Sequence, residues 1–543
     1  MSRFALLPLR SALLASVALA AVTHPARAGT LLTAGELTVS TSFYTGNAAT
    51  VTVGQTLPSG AIATQNGTYP SVFKNAAADA SFGVTSPLFL QQFKNTGTAA
   101  APVLVQNNSV NLTALTGVVT SFPSKSEGAL NLSLDGKSLT LVDYKTTAGQ
   151  LDVSNSNTPG IAEPGNYTAN ATPRTIVDLG TNGVNSVSPT NAYPGNNGRA
   201  AVNVGGGTFI LTGNAGNASG SPAVTAAAGV QSVNIGTAGS TAGALNTTQA
   251  GSFSFAATPA GQTIDPTTIT ATNPTGTPYG AADKAAKDNN FRGLTVFNNT
   301  VYVTKGSGGN GVNTVYQVGT AGALPASGAV ITILPGFPTQ ATKLTNQFPF
   351  GIFFANATTL YVADEGAQTN KSSVAAGALT AADIATAAGD VYAGLEKYSL
   401  VNGAWVLQYT LQNGLDLGKA YTVSGTTLGG DTGSYSAATD GLRNLTGQVN
   451  TDGTVSLYSV SSTISAGGDQ GGDPNKLFAI TDLLSATALP VNETFTTVEI
   501  SGYGQVLRGV AFAPVDATAV PEPASLAMLG MGLAGLLGLR RRR

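Results

Sequence analysis

Short apolar runs of about four to eight residues, each broken at Asn-Asn, Asp-Gly or Gly-Gly-Gly, recur along this chain and restrict it to a small set of folds. Residues 291–297 (FRGLTVF), the pair Asn298-Asn299 and residues 300–303 (TVYV) predict one hairpin. Residues 350–354 and 359–364 (TLYVAD) predict another. Three more are predicted over 128–144 with a turn at Asp135-Gly136, over 199–213 with a turn at 205–207, and over 444–460 with a turn at Asp452-Gly453. Such dipeptides adopt the left-handed backbone that tight antiparallel turns need, so the fold class is all-β and antiparallel. Long Ala/Gly/Thr/Ser stretches at 213–228, 236–251, 256–286 and 425–438 carry little apolar bulk and are expected to be loops. Residues 380–389 read as a short helix with Thr380 as its cap and Gly389 at its end, inserted between two strands.

The hairpins also repeat. Residues 291–297 (FRGLTVF) parallel 507–513 (LRGVAFA), and Leu442-Arg443-Asn444 is a weaker echo. Copies spaced roughly 50 to 90 residues apart, each of about four strands, predict a β-propeller of six or seven blades. Residues 360–364 (LYVAD) resemble strands of NHL and YVTN-type propellers, and residues 126–136 with 507–514 resemble secreted bacterial propellers. Too little chain follows the strand at 506–513 to complete a blade. The strands at 36–42 and 49–54 are therefore expected to close the ring.

Both ends differ from this body. Arg3 and Arg10, an apolar stretch at 11–22 and the small-x-small site Ala26-Arg27-Ala28 predict a signal segment over 1–28, removed by signal peptidase. The last 24 residues combine Pro521-Glu522-Pro523, an uncharged run at 524–539 and the cap Arg540-Arg541-Arg542-Arg543. As a helix that run is about 24 Å long against a hydrocarbon core of about 30 Å, a marginal transmembrane span. Clustered arginines stay on the cytoplasmic side, which places the body outside. These three parts resemble the PEP-CTERM sorting signal of Gram-negative bacteria. The resemblance implies transient anchoring in the inner membrane, processing by an exosortase near Pro521, Glu522 and Pro523, and delivery to the cell surface or an exopolysaccharide matrix. The expected domains are the signal at 1–28, a β-propeller body at 29–514, a linker at 515–519 and the sorting signal at 520–543.

Composition removes whole chemistries. The only histidine is His24, the methionines are Met1, Met528 and Met531, and there is no cysteine. The body between the two ends thus lacks the side chains of thiolate nucleophiles, Ser-His-Asp triads, His-ligated metals and disulfides. Three of the 25 Lys+Arg lie in the signal and four in the cap, and one of the 27 Asp+Glu lies in the tail, which leaves 18 against 26 and a body near −8. An acidic, sparsely charged surface does not suit nucleic acid.

What remains for a site is carboxylates and arginines. Asp364 and Glu365 follow an inner-strand signature and are the candidate ligands for Ca²⁺, which takes six to eight oxygens; Asp469, Asp473 and Asp482 are expected to cluster around residues 476–478. Glu127, Arg292 and Arg508 are candidate ligand-binding residues of a central channel, because Arg binds anionic sugar or phosphate through two parallel hydrogen bonds. The same arginines could instead pair with a neighbouring blade and lock the ring. Residues 306–311 match a dinucleotide-binding glycine pattern in letters only, since a strand rather than a helix follows. Trp405 is expected in a core or edge position. Two functions follow: a non-catalytic surface or matrix protein binding exopolysaccharide or biofilm components, or a calcium-dependent hydrolase similar to propeller phytases or lactonases.

Overall fold

The computed structural model describes residues 31–44, 85–99, 101–122, 124–149, 172–190, 192–193, 197–214, 229–234, 243–244, 290–306, 312–338, 347–367, 379–426, 432–465 and 470–515. Among these the chain is built of antiparallel sheets whose strands follow one another in sequence. Three sheets have four strands each: β9 (Gly198–Gly205), β10 (Thr208–Gly213), β11 (Gly229–Asn234) and β12 (Gly243–Ala244); β13 (Leu294–Phe297), β14 (Thr300–Lys305), β15 (Thr314–Val318) and β16 (Ile331–Ile333); β17 (Pro349–Asn356), β18 (Thr359–Asp364), β19 (Gly394–Val401) and β20 (Ala404–Leu411). A fifth strand extends the next sheet, which comprises β21 (Ala420–Thr426), β22 (Thr432–Val449), β23 (Thr454–Ser465), β24 (Lys476–Leu483) and β25 (Thr496–Ile500). The arrangement is propeller-like.

The predicted turns sit where the residues require them. Asn298 and Asn299 have φ of 48° and 56°, the pattern of a two-residue hairpin turn that matches strand twist. The helix over 380–389 is present as α2 (Ala381–Ala388), inserted between β18 and β19 and capped by Thr380 and Asp383 reciprocally. The loop expectation fails in part. Residues 425–438 read as a low-complexity loop, yet Ala420–Thr426 and Thr432–Val449 pair from Ala420↔Ala438 to Thr426↔Thr432. Ala438 is buried against Ala387 of α2 and Ile464 of β23, which supply the apolar cover that the segment's own small side chains lack. Of the loops predicted at 213–228, 236–251 and 256–286, Gly213 ends β10 and Gly243–Ala244 is strand β12, paired with Gln231 and Ser232, against expectation; the rest lies outside the described residues except Asn214.

The remaining nine strands form one sheet that joins the two ends of the body. β26 (Gln505–Phe512) pairs with β1 (Leu37–Phe43), and β1 with β2 (Thr85–Asn95), which carries β3 (Leu104–Asn111). The sheet continues from β2 through β4 (Val118–Ser121) and β6 (Leu139–Lys145), the partner of β5 (Asn131–Leu132), to β7 (Arg174–Gly180) and β8 (Gly183–Thr190). Closure by the strand at 36–42 is thus present, from Leu37↔Phe512 to Phe43↔Gln505. Residues 49–54 lie outside the described residues, and the second neighbour of β1 is Thr85–Asn95. The body extends to Val515, whose N–H donates to Gly136 O at 3.2 Å.

Cores run from sheet to sheet and return to the start. Val142 and Ile176 pack with Ala201 and Phe209. Val202, Val301 and Leu360 share one cluster across the three four-stranded sheets, and Tyr361 and Leu395 pack with Leu442 and Phe478. Val460 and Leu477 then pack with Val39 and Leu507. Each fully buried aliphatic or aromatic side chain contributes about 1.5–3 kcal/mol relative to exposure. Since no cysteine is present, these contacts and the strand pairing hold the body together.

At the inner strands the sheets approach too closely for side chains. A Cβ on Gly509 would lie 2.3 Å from Leu130 N and 2.4 Å from Gly128 O, and one on Gly293 would lie 1.9 Å from Phe350 O. Gly509→Ala is therefore expected to destabilise the body by about 1–3 kcal/mol or more, as overpacking does. Gly183→Ala, with open space at its Cβ, is the control and should be neutral or mildly stabilising. Urea melts of both variants check this. Removing residues 31–44 should abolish the whole cooperative transition; a folded core with only a small shift would show that the β1–β26 seam is dispensable.

Candidate functional site

Six segments at or beside the inner edges of the sheets line one cavity of about 270 Å³: residues 129–134, 200–202, 292–296, 351–353, 444–447 and 510–512. One layer before each stands a characteristic residue. These are Glu127, Arg199, Arg292, Phe350, Arg443 and Arg508, all at most 7% exposed. Small residues follow five of them, namely Gly128, Ala200, Gly293, Gly351 and Gly509, and allow the backbones to converge, while Asn444 follows Arg443.

The arginines of this layer grip the segment 121–128. Arg508 donates from Nη2 to Phe122 O at 2.6 Å and to Ser121 O at 3.3 Å, from Nη1 to Ser124 O, and from Nε to Ser42 Oγ at 2.8 Å. Ser126 Oγ accepts from Arg199 Nε at 2.9 Å and from Arg292 Nη1 at 2.6 Å, which uses both its lone pairs. Lys125 reaches Glu365 at 3.6 Å, and Arg443 Nε donates to the other oxygen of Glu365 at 3.1 Å. One short segment thereby touches residues from four other strands or strand ends and closes the polar end of the channel.

Glu127 lies within this plug. Its oxygens accept from Ser121 N at 3.1 Å, Thr120 Oγ1 at 3.3 Å, the Tyr144 hydroxyl and Asn197 Nδ2. Buried charges are tolerated when they are hydrogen-bonded to this extent. Asp143 beside it is pushed well above the usual carboxyl range by burial, then by Glu127, against the pull of Arg508. Burial brings Arg292 down to about 10, with Arg443 adding to the effect and Glu365 opposing it.

The structure thus brings Glu127, Arg292 and Arg508 together, with their polar atoms engaged by the plug, and Arg292 alone among the three lines the cavity. Arg199, Ser126 and Lys125 escaped the sequence reading. The strand start Gly198-Arg199-Ala200 carries the Arg-plus-small signal that marks Arg292 and Arg508, and could have revealed the first of them.

Asp364 and Glu365 are buried but do not fit Ca²⁺. The Asp364 carboxyl accepts Phe348 N–H and, at 2.8 Å, Gly366 N–H, while Glu365 faces a guanidinium and an ammonium. A calcium ion needs six to eight oxygens free of competing cations, and among the described residues no three acidic side chains come together as a cage. The expected cluster around residues 476–478 does not form: Asp482 lies six positions along β24 from Lys476, roughly 20 Å away. Asp473 is instead held by Tyr435 at 2.8 Å, Ser465 at 2.8 Å and Thr463 at 2.9 Å; Asp469 lies outside the described residues. Trp405 is 7% exposed and packs edge-on against Phe354 at 5.8 Å, a core position. Residues 307–311 lie outside the described residues, and their flanks β14 and β15 are antiparallel partners, as a hairpin connection requires.

Residues 519–543 match the family model of the PEP-CTERM protein-sorting motif. That signal implies an exported protein, sorted to the cell surface through an exosortase. No curated protein matches this chain. Among solved structures, cobalt-substituted Synechocystis ACO aligns over 80% of this chain and 60% of its own, under two thirds of its length, at 9% identity and a TM-score of 0.20. So loose a likeness carries no argument. Among the described residues no helix is long and apolar enough to cross a membrane, and residues 524–539 lie outside them.

On β19, Glu396 accepts from Gln347 at 2.8 Å and from Tyr398 at 2.9 Å and is raised from 4.5 to about 7, chiefly by burial. A carboxyl whose folded pKa exceeds its unfolded value holds an extra proton in the native state. Its stabilising contribution is full below about 4.5 and is lost as the pH rises through about 7. Thermal melts should therefore show a midpoint falling from acid to mildly alkaline buffer. Glu396→Gln should flatten that slope; an unchanged slope in the variant would refute the assignment.

Proposed function

We propose that this chain is an exosortase-processed surface protein whose body is a six-bladed propeller acting as a non-catalytic binding module for exopolysaccharide or a related matrix component. Six inner segments around one cavity, four of them led by a buried arginine, support the blade count. The observation that carries the binding reading is the state of the charged layer. Its arginines and carboxylates hydrogen-bond to the plug and to neighbouring strands, while the cavity beneath offers Asn131, Thr295, Asn444 and Thr446 beside apolar walls. Hydroxyls and amides next to aliphatic carbon suit sugar recognition. The calcium-dependent hydrolase reading loses its ligands for the reasons given above.

On this reading, signal peptidase removes residues 1–28, the exosortase acts near Pro521-Glu522-Pro523, and the inner membrane holds the chain only until then. Mass spectrometry of surface-released protein should find a C-terminus upstream of residue 524. A released form still ending in Arg540-Arg541-Arg542-Arg543 contradicts the processing. For the ligand, a glycan array with the purified body should give binding that is weakened by a bulky substitution at Thr295, which lines the cavity. A blank array overturns the binding reading.

A further inference from the structure

Away from the channel, the sheet of β17–β20 and the sheet of β21–β25 meet at a buried set of reactive groups. Lys397 on β19 and Asp482 on β24 lie 2.7 Å apart, and both side chains are 0% exposed. The ammonium also donates to Leu483 O at 2.7 Å and Tyr409 OH at 2.9 Å, and its nitrogen lies 5.7 Å and 5.2 Å from the ring centres of Tyr361 and Tyr409. Tyr409 OH donates to Asp482 Oδ1 at 2.7 Å, and Tyr361 OH donates to Oδ2. A third ionisable group, the half-buried Glu493, faces the same carboxylate and is fixed by Leu483 N–H at 2.9 Å. Burial and Asp482 raise Glu493 to about 8, which lets it carry a proton at neutral pH.

We propose that Lys397 and Asp482 join in an intramolecular amide bond that covalently ties these two sheets, with Glu493 relaying the protons. The C–N bond forms between Lys397 Nζ and Asp482 Cγ, and one Cγ–Oδ bond breaks. Two of the three ammonium hydrogens leave with that oxygen as water, and the third stays on the amide nitrogen. Charge and atoms balance, so no co-reactant is required. The two tyrosine hydroxyls are placed to stabilise the oxyanion of the tetrahedral intermediate. Holding amine and carboxyl in contact supplies an effective molarity of roughly 10⁵–10⁸ M. Glu493 opens toward solvent, giving the released water an exit, while the apolar walls keep water from reversing the reaction. For an exported chain without cysteine, such a bond performs the cross-linking that a disulfide otherwise would.

Intact and peptide mass spectrometry of the purified body tests this directly. The folded wild type should be lighter than its sequence by one water, and trypsin should leave Lys397 uncut within a branched peptide containing Asp482. Glu493→Gln should fold, by circular dichroism, yet keep the full sequence mass and be cut at Lys397. A wild-type protein of full mass after prolonged incubation, with Lys397 cleaved normally, overturns the proposal. Loss of water in Glu493→Gln at the wild-type rate overturns the role of Glu493.

Discussion

Everything in the body depends on a strand pairing between residues at opposite ends of the described chain. Gly509 N donates to Ser40 Oγ at 2.7 Å, and the same hydroxyl donates to Gly128 O, tying β26 to β1 and both to the next inner segment. Such a contact costs chain entropy that grows only slowly with separation, so a very distant closure is thermodynamically tolerable. The kinetic cost is larger, because non-local pairing forms late. In return the outermost members of the sequence have no open edge toward each other, and an open edge is the feature of β proteins that invites aggregation.

The layer of charged residues above the cavity follows from the same convergence. Backbones drawn together by Gly128, Gly293 and Gly509 leave carbonyls and a short loop crowded around the axis. Guanidinium groups satisfy several such acceptors at once with a fixed geometry. Arg508 bonds four oxygens and Ser126 binds two arginines, so a loop that would otherwise bury unpaired polar groups is fully engaged. The guanidinium groups of Arg199, Arg292 and Arg508 meet carbonyls and hydroxyls of other strands, and Arg443 pairs directly with Glu365.

Much of the fold was legible because turn chemistry is local. Asn298-Asn299, Asp135-Gly136 and Asp452-Gly453 each sit between paired strands, and the capping residue Thr380 starts its helix. Residues 425–438 were not legible, because a local hairpin of Ser, Thr, Gly and Ala carries no apolar alternation and gains its cover only from the rest of the fold. The charged layer was half visible. Arg292 and Arg508 share an Arg-Gly signature, whereas Lys125 and Ser126 acquire their role only from their position over the axis. The Lys397–Asp482 contact left no sequence signal, since 85 residues separate the pair and each residue type alone is ordinary.

The place of β26 along the chain also sets an order of events. A chain is made from its N-terminus, so β1 lacks its partner until residues 505–512 have emerged. Only nine positions separate Phe512 from Pro521, at most about 30 Å of extended chain. The seam of the sheet therefore lies within a few residues of the segment that matches the sorting motif. A change in the length of residues 513–520 thus acts on the joint of the sheet and on the sorting segment together.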